Sequence, residues 1–274
     1  MQMADELGDR MKDHERRETG RRFFPTLPVY ARIDGRGFSK FTKGMNRPFD
    51  QRMTDAMIEV TKYLVKETHA TIGYVQSDEI SLVWMAPDHE SDIFFNGKIQ
   101  KMTSVLASMA AAKMAQVIRG WAPFEDRLPN FDARVLQLPN THEAANMFLW
   151  RALDAQKNAV SMACRAIASA KQMHGKGQRQ MLEMITEAGV DFDAYPEAFR
   201  RGSFIRRRKV ERALTAEELA KIPAKLRGED VIVTRSEIIV VEGVPAFQRV
   251  ANRTDFIMGG ADPIERVYDE DVTA

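Results

Sequence analysis

Cysteine is nearly absent from this chain: Cys164 is the only one. No internal disulfide can form, and no cysteine-based zinc site can be assembled. Such usage fits a reducing compartment, the cytosol. Long apolar runs are missing too. No stretch reaches the roughly 18 apolar residues of a membrane span, and the charged N-terminus lacks the apolar core of a signal peptide. Net charge is only +1, so nothing draws the whole molecule toward nucleic acid and any basic surface must be local. There is no internal repeat, no low-complexity linker, no Walker A motif and no G-x-G-x-x-G fingerprint. The expectation is a cytoplasmic protein without membrane contact, long enough for one large domain or two modest ones.

The pattern that is present is largely periodic. Residues 1–22 read as a polar helix made basic at its end by Arg16, Arg17, Arg21 and Arg22, either a solvated face or a contact with a phosphate backbone. Val29, Ala31 and Ile33 alternate with Tyr30, Arg32 and Asp34, which is strand periodicity, until Gly35-Arg36-Gly37 breaks it. Residues 53–67 carry the stripe of an amphipathic helix. Two strand-like runs, 72–75 and 80–85, flank the acidic turn Gln76-Ser77-Asp78-Glu79. A helical stretch at 91–119 ends at Gly120 and Pro123, residues 132–138 alternate again, and 142–173 is helical.

In order, residues 28–138 give strand, helix, strand, strand, helix, strand: an α+β chain with the β-α-β-β-α-β order of the ferredoxin-like fold. In this reading strands one and three are the central pair and run parallel, with strand one antiparallel to strand two. The end of strand one then meets the hairpin turn. The rest supplies a helix at 178–188, a strand-like run at 204–210, a capping box from Thr215 to Glu218, and strands at 230–241 and 246–252. The chain divides into a palm-like catalytic domain with its N-terminal helix (1–174) and a C-terminal α+β subdomain (175–274) for RNA contact and assembly.

That topology brings Asp34 to Asp78 and Glu79. Adjacent carboxylates repel unless a cation lies between them. With no histidine or cysteine nearby, the cation expected is Mg²⁺, and two such ions would suit phosphoryl transfer. Carboxylates at strand ends on this fold are the palm arrangement of nucleotide polymerases and cyclases. The plainer reading of Asp34-Gly35 and of Ser77-Asp78 is turn formation. Arg36, Gly37, Phe38 and Ser39 belong to a loop whose N–H groups could cradle a triphosphate, with Arg47 a second phosphate ligand. Arg151, Asp154 and Asn158 share one helix face, which suits a base or phosphate as well as plain solvent. Arg200, Arg201, Arg206, Arg207, Arg208 and Lys209 are the densest basic region, open to an RNA backbone or to acidic neighbours in an oligomer.

Three stretches carry a family resemblance: residues 32–38 (Arg-Ile-Asp-Gly-Arg-Gly-Phe), 74–81 (Tyr-Val-Gln-Ser-Asp-Glu-Ile-Ser) and 150–154 (Trp-Arg-Ala-Leu-Asp). Together with Phe199-Arg200-Arg201-Gly202-Ser203 they resemble the tRNA-His guanylyltransferases and their bacterial-type relatives, the 3′–5′ polymerases. The resemblance implies Mg²⁺ at Asp34, the Gly35 carbonyl and Asp78, with Glu79 in support. It implies a triphosphate cradled by Arg36, Phe38 and Ser39, roles for Arg47 and Ser77 beside it, and a homotetramer. It further implies nucleotide addition to a tRNA 5′ end activated by ATP or GTP, with GTP and other nucleoside triphosphates as donors. Eukaryotic members continue the helix motif as Asp-x-His-Ile-Asn-Asn; here Gln156 stands for the histidine and Ala159 for the second asparagine. That departure favours template-dependent 5′-end repair over strict guanylate addition to tRNA-His. A palm-type nucleotide cyclase or signalling nucleotidyltransferase, and a non-catalytic RNA-binding sheet, are the alternatives.

Overall fold

The computed structural model describes residues 2–223 and 232–266. In chain order the elements are α1 (Gln2–Thr19), β1 (Val29–Gly35), α2 (Phe38–Phe41), α3 (Gln51–Thr68), β2 (Ile72–Gln76), β3 (Glu79–Trp84), α4 (Ile99–Val117), β4 (Phe131–Gln137) and α5 (Thr141–Ile167). There follow α6 (Ala170–Met173), α7 (Gln178–Glu187), α8 (Glu197–Arg201), β5 (Ser203–Ala213), α9 (Ala216–Lys221), β6 (Ile232–Val240) and α10 (Arg253–Met258). The strands form one six-stranded antiparallel sheet in a mixed α and β fold, ordered β4-β1-β3-β2-β5-β6, with every neighbouring pair antiparallel.

Here one expectation is corrected. β1 and β3 are central among the first four strands, but they run antiparallel, with Val29 opposite Trp84 and Asp34 opposite Glu79. The tight hairpin makes β3 oppose β2, so β1 is parallel to β2, which it does not touch. This is also what brings the end of β1 to the hairpin turn. A parallel pairing would have set Asp34 near Trp84.

Alternation divides the sheet into two faces. Val29, Ala31, Ile33, Ile80, Leu82 and Trp84 pack with α3 and α4 on one side. Tyr30, Ile72, Tyr74 and Val83 pack with Phe148 of α5 on the other. On the α3 side a Cβ at Gly73 would lie 2.8 Å from Val65 and 2.9 Å from Thr61, so only glycine lets α3 lie this close to β2.

Other boundaries differ for local reasons. The 91–119 helix begins at Ile99, because Phe95 and Asn96 have positive φ, in a 3-10 turn at Phe94–Gly97. The 142–173 helix is two, interrupted where Ser169 caps α6 with a capping box. β6 starts at Ile232; the expected residues 230 and 231 lie outside those described. The expected strand at 246–252 is instead a 3-10 turn at Phe247–Arg249. It drops Phe247 and Val250, spaced i, i+3, into the core beside Phe204 and Phe256. β5 and β6 continue the sheet of β1 to β4, although only Ser203–Arg206 of β5 pair with β2. Beyond that, among the described residues, the two strands pair only with each other as a ribbon. Among the described residues no helix is long and apolar enough to cross a membrane.

Candidate active site

The end of β1 and the β2–β3 turn are stitched together through backbone. The Gly35 N–H donates to the Asp78 carbonyl at 3.0 Å, and the Arg36 N–H to the Asn130 carbonyl at 2.8 Å. A Cβ at Gly35 would lie 2.4 Å from the Phe38 ring, so the bend into α2 needs glycine. The turn itself holds Ser77 at φ 52°, in the left-handed region that costs an ordinary residue about 1 kcal/mol or more. Ser77 Oγ donates to Asp78 Oδ1 at 3.2 Å. Burial pushes the Asp78 carboxyl above its ordinary range, and the charge of Asp34 pushes it the same way. A buried carboxylate whose charged form is disfavoured by burial and by a neighbouring carboxylate is a setting in which a cation is stabilising.

Glu79 is not the third member of that group. Arg151 donates to it twice, from Nε at 2.5 Å and from Nη2 at 2.7 Å. Arg32 Nε stands 3.8 Å from Oε2, the oxygen that also accepts from Arg151 Nη2. The Glu79 and Arg151 side chains are 15% and 10% exposed. Even so, burial raises the Glu79 carboxyl more than Arg151 lowers it. The expected three-carboxylate cluster is therefore not found. Among the described residues no three His, Cys, Asp or Glu side chains are grouped to hold a metal. What remains is Asp34, Asp78 and the Gly35 carbonyl. This all-oxygen set fits a hard cation that takes its other ligands from phosphates and water.

Arg151, in turn, is not a free phosphate ligand. Its Nη2 also donates to Asp154 at 2.9 Å, and Asn158 donates to the same carboxylate at 3.4 Å. The predicted stripe is real, but it is an internal chain of hydrogen bonds ending on Glu79.

One cleft of about 570 Å³ gathers most of the predicted nucleotide ligands: Gly37, Phe38, Ser39, Arg47, Ser77 and Asp78 line it, together with Gly35, predicted as a metal ligand. Asp34 and Arg36, on either side of Gly35, do not. Arg165 of α5 also lines it and was missed. It continues the stripe of Arg151, Asp154 and Asn158 through Met162, so extending that face by two turns would have found it. Arg47 and Arg165 are exposed, and neither makes an ion pair among the described residues. Asp50 shapes the loop that presents Arg47. It is buried, caps α3 by accepting from the Arg52 N–H at 3.1 Å, and accepts from the Asn46 N–H at 3.1 Å. Its hydrogen bonds from the Arg52 side chain hold its carboxyl down to about 2.

The basic region is half structural. Arg206 is buried, donating to the Ala261 carbonyl at 2.7 Å and to Asp262 at 2.6 Å, with Phe256 against its guanidinium. Arg200 donates to Asp193 at 2.6 Å and to the Tyr195 carbonyl at 2.8 Å. Arg201 pairs with Glu197. These three are committed within the fold and are not free RNA ligands. Arg207, Arg208 and Lys209 are exposed on the ribbon. Gly202 serves packing: at φ 75° its Cβ would lie 2.5 Å from the Tyr74 hydroxyl, which donates to the Arg201 carbonyl.

Relatives in sequence and structure define the class as nucleotidyltransferase. The tRNAHis guanylyltransferase family model matches residues 8–139. The chain is 37% identical to a bacterial tRNA(His) guanylyltransferase-like protein solved with ATP, with TM-score 0.69, covering 73% of this chain and 88% of that one. A bacterial guanylyltransferase-like protein solved with GTP is 30% identical, with TM-score 0.68 and coverage of 89% and 94%. The tRNA(His) guanylyltransferase of Neurospora crassa is 26% identical over 74% of this chain and 73% of its own length. The chain belongs to the tRNAHis guanylyltransferase family.

Proposed function

We propose that this chain extends the 5′ ends of tRNA in the 3′–5′ direction, as a template-dependent repair enzyme, with Mg²⁺ held at Asp34, the Gly35 carbonyl and Asp78. The observation that carries the reading is the cleft lined by Asp78 and Gly35 together with Arg47 and Arg165, which make no ion pair among the described residues. A triphosphate needs cations on its phosphates and carboxylates for its metal within one cavity. Bound Mg²⁺, two ions in this reading, would polarise phosphoryl oxygens and favour ionisation of an attacking hydroxyl. Antiparallel strands in the order β4-β1-β3-β2 support the ferredoxin-like palm as the scaffold.

Each protein group then has a task. Arg47 and Arg165 bind the triphosphate of ATP, GTP or another nucleotide, with Ser39 and the Gly37–Phe38 backbone against it. Glu79, fixed by Arg151, orients the start of β3 and so the Asp78 turn. The tRNA 5′ monophosphate takes a nucleotidyl group from ATP or GTP as pyrophosphate leaves. The 3′-hydroxyl of the incoming nucleotide then attacks that 5′ phosphate, releasing the mononucleotide, and pyrophosphate is removed from the new end. Gln156 stands in the place of the eukaryotic histidine, a departure that supports repair over strict tRNA-His specificity, and exchanges amide hydrogen bonds with Gln248 at 3.0 and 3.3 Å. Arg207, Arg208 and Lys209 contact the RNA backbone, and the subdomain at 175–274 serves assembly as a homotetramer.

The test is incorporation of labelled nucleotide into a 5′-truncated tRNA with Mg²⁺ and all four triphosphates. Wild type extends the RNA, and Asp78→Ala lowers the rate by two orders of magnitude or more, since a metal clamp supplies several kcal/mol in the transition state. Equal extension by both would exclude the site, and extension by neither would exclude the substrate.

A further inference from the structure

On the face of the sheet that carries α5, the strand register stacks side chains in rungs across β1 and β4. Arg32 lies directly opposite Arg134, and Asp34 directly opposite Asp132. Two guanidiniums facing each other across an antiparallel pair are destabilising unless an anion separates them. Their partners are weak: Arg32 stands 3.8 Å from Glu79, and Arg134, 60% exposed, stands 3.7 Å from Asp132. The helix packed on β4 is α4, on the opposite face, and the rung is open at Arg134 but covered at Arg32, whose side chain is 18% exposed. Above it stands Trp150, the first residue of the Trp-Arg motif. Trp150 is 51% exposed although it is the largest side chain type. Its ring lies 5.8 Å from the Arg32 guanidinium and 4.5 Å from that of Arg151.

We infer that Arg134, Arg32 and Trp150 bind the unpaired strand that faces a recessed RNA 5′ end, with a base stacked on Trp150 and its phosphate on Arg134. The inference rests on the RNA-extending reading above and names where the opposing strand lies. An exposed indole offers a face to any base but can use it only on one not already stacked in a duplex. Guanidiniums around it supply the charge complementarity for the backbone. The location is apt, because Arg32 is two residues from Asp34 on the same face of β1, and Arg151 next to Trp150 holds Glu79 beside Asp78. An overhang lying here would present its bases toward the carboxylates where a new nucleotide is joined.

The test measures binding, without triphosphate, of a labelled RNA hairpin with a recessed 5′ phosphate and a short 3′ overhang, against the same hairpin made blunt. The wild-type chain binds the overhang hairpin more tightly. Trp150→Ala weakens that binding about tenfold, in the range for loss of one base–aromatic stack, while Trp150→Phe stays near wild type and blunt-hairpin binding is unchanged. Arg134→Ala lowers the slope of log affinity against log salt by about 0.7, as expected for one phosphate contact on a single strand. Equal affinity of wild type for the two hairpins, or an equal loss on both in Trp150→Ala, overturns the inference. Because no turnover is involved, a protein that shows these binding differences but adds no nucleotide refutes the proposed reaction and upholds the strip.

Discussion

Asp78 and Glu79 are sequence neighbours with opposite fates. One stands at the hairpin turn beside the end of β1 that carries Asp34; the other is answered by a two-pronged arginine. Removing one member of a buried ion pair strands the other's charge, a loss of about 3 kcal/mol or more. Arg151→Ala should therefore unfold at markedly lower urea, while Arg151→Met combined with Glu79→Gln should recover most of the stability. If the pair also positions the turn, the double variant stays slow in nucleotide addition despite its recovered fold. Arg47→Ala and Arg165→Ala should each raise the KM for the triphosphate about tenfold, the scale of one charge-assisted hydrogen bond, with melting temperature unchanged. Asp34 and Asp78 could each be singled out because both sit where a strand-like run stops, but their meeting follows from the antiparallel register of β1 and β3 and not from the parallel pairing expected. The pairing of Glu79 with Arg151 was not, since the partner is 72 positions away and nothing local marks it. The same holds for Arg206, whose basic run reads as surface until Asp262 and Phe256 are seen to enclose it.

At the scale of elements, periodicity carried the reading. β1, α3, the hairpin and α4 follow from apolar spacing, because their buried faces are local patterns. Strand direction did not follow, since alternation has no arrow and only the hairpin fixes which strands oppose. The turn at Phe247–Arg249 looked like a strand because short apolar runs suit either state. The start of α3 offers a pH test. Asp50 is held at about 2 in the fold against about 3.9 when unfolded, so the unfolded chain binds its proton more tightly. Its contribution is complete above roughly pH 4 and is lost as pH falls toward 2. Asp50→Asn keeps a capping oxygen but should flatten that part of the stability-against-pH curve. Asp50→Ala should also cost about 1 kcal/mol at neutral pH through the lost cap, read by urea unfolding.

For the whole molecule, two edges of one sheet decide what can be added to it. Among the described residues β4 is one edge and β6 the other, and the far half of the β5–β6 ribbon pairs with no third strand. A two-stranded ribbon is marginal alone, which makes it a natural place for other copies to dock. Light scattering on the purified chain should give four times the chain mass, and a monomer at micromolar concentration would refute the tetramer.

α5 joins these scales. Its 27 residues form a rod of about 40 Å that carries Trp150 and Arg151 in one half and Arg165 in the other. The rod therefore works as a ruler and a clock hand at once: the separation of these side chains is set by rise, and their relative direction by helical phase. One residue inserted between Asn158 and Met162 would lengthen it by only about 1.5 Å yet turn Arg165 through about 100° relative to Trp150. Relatives should therefore tolerate substitutions along this helix far more readily than insertions or deletions.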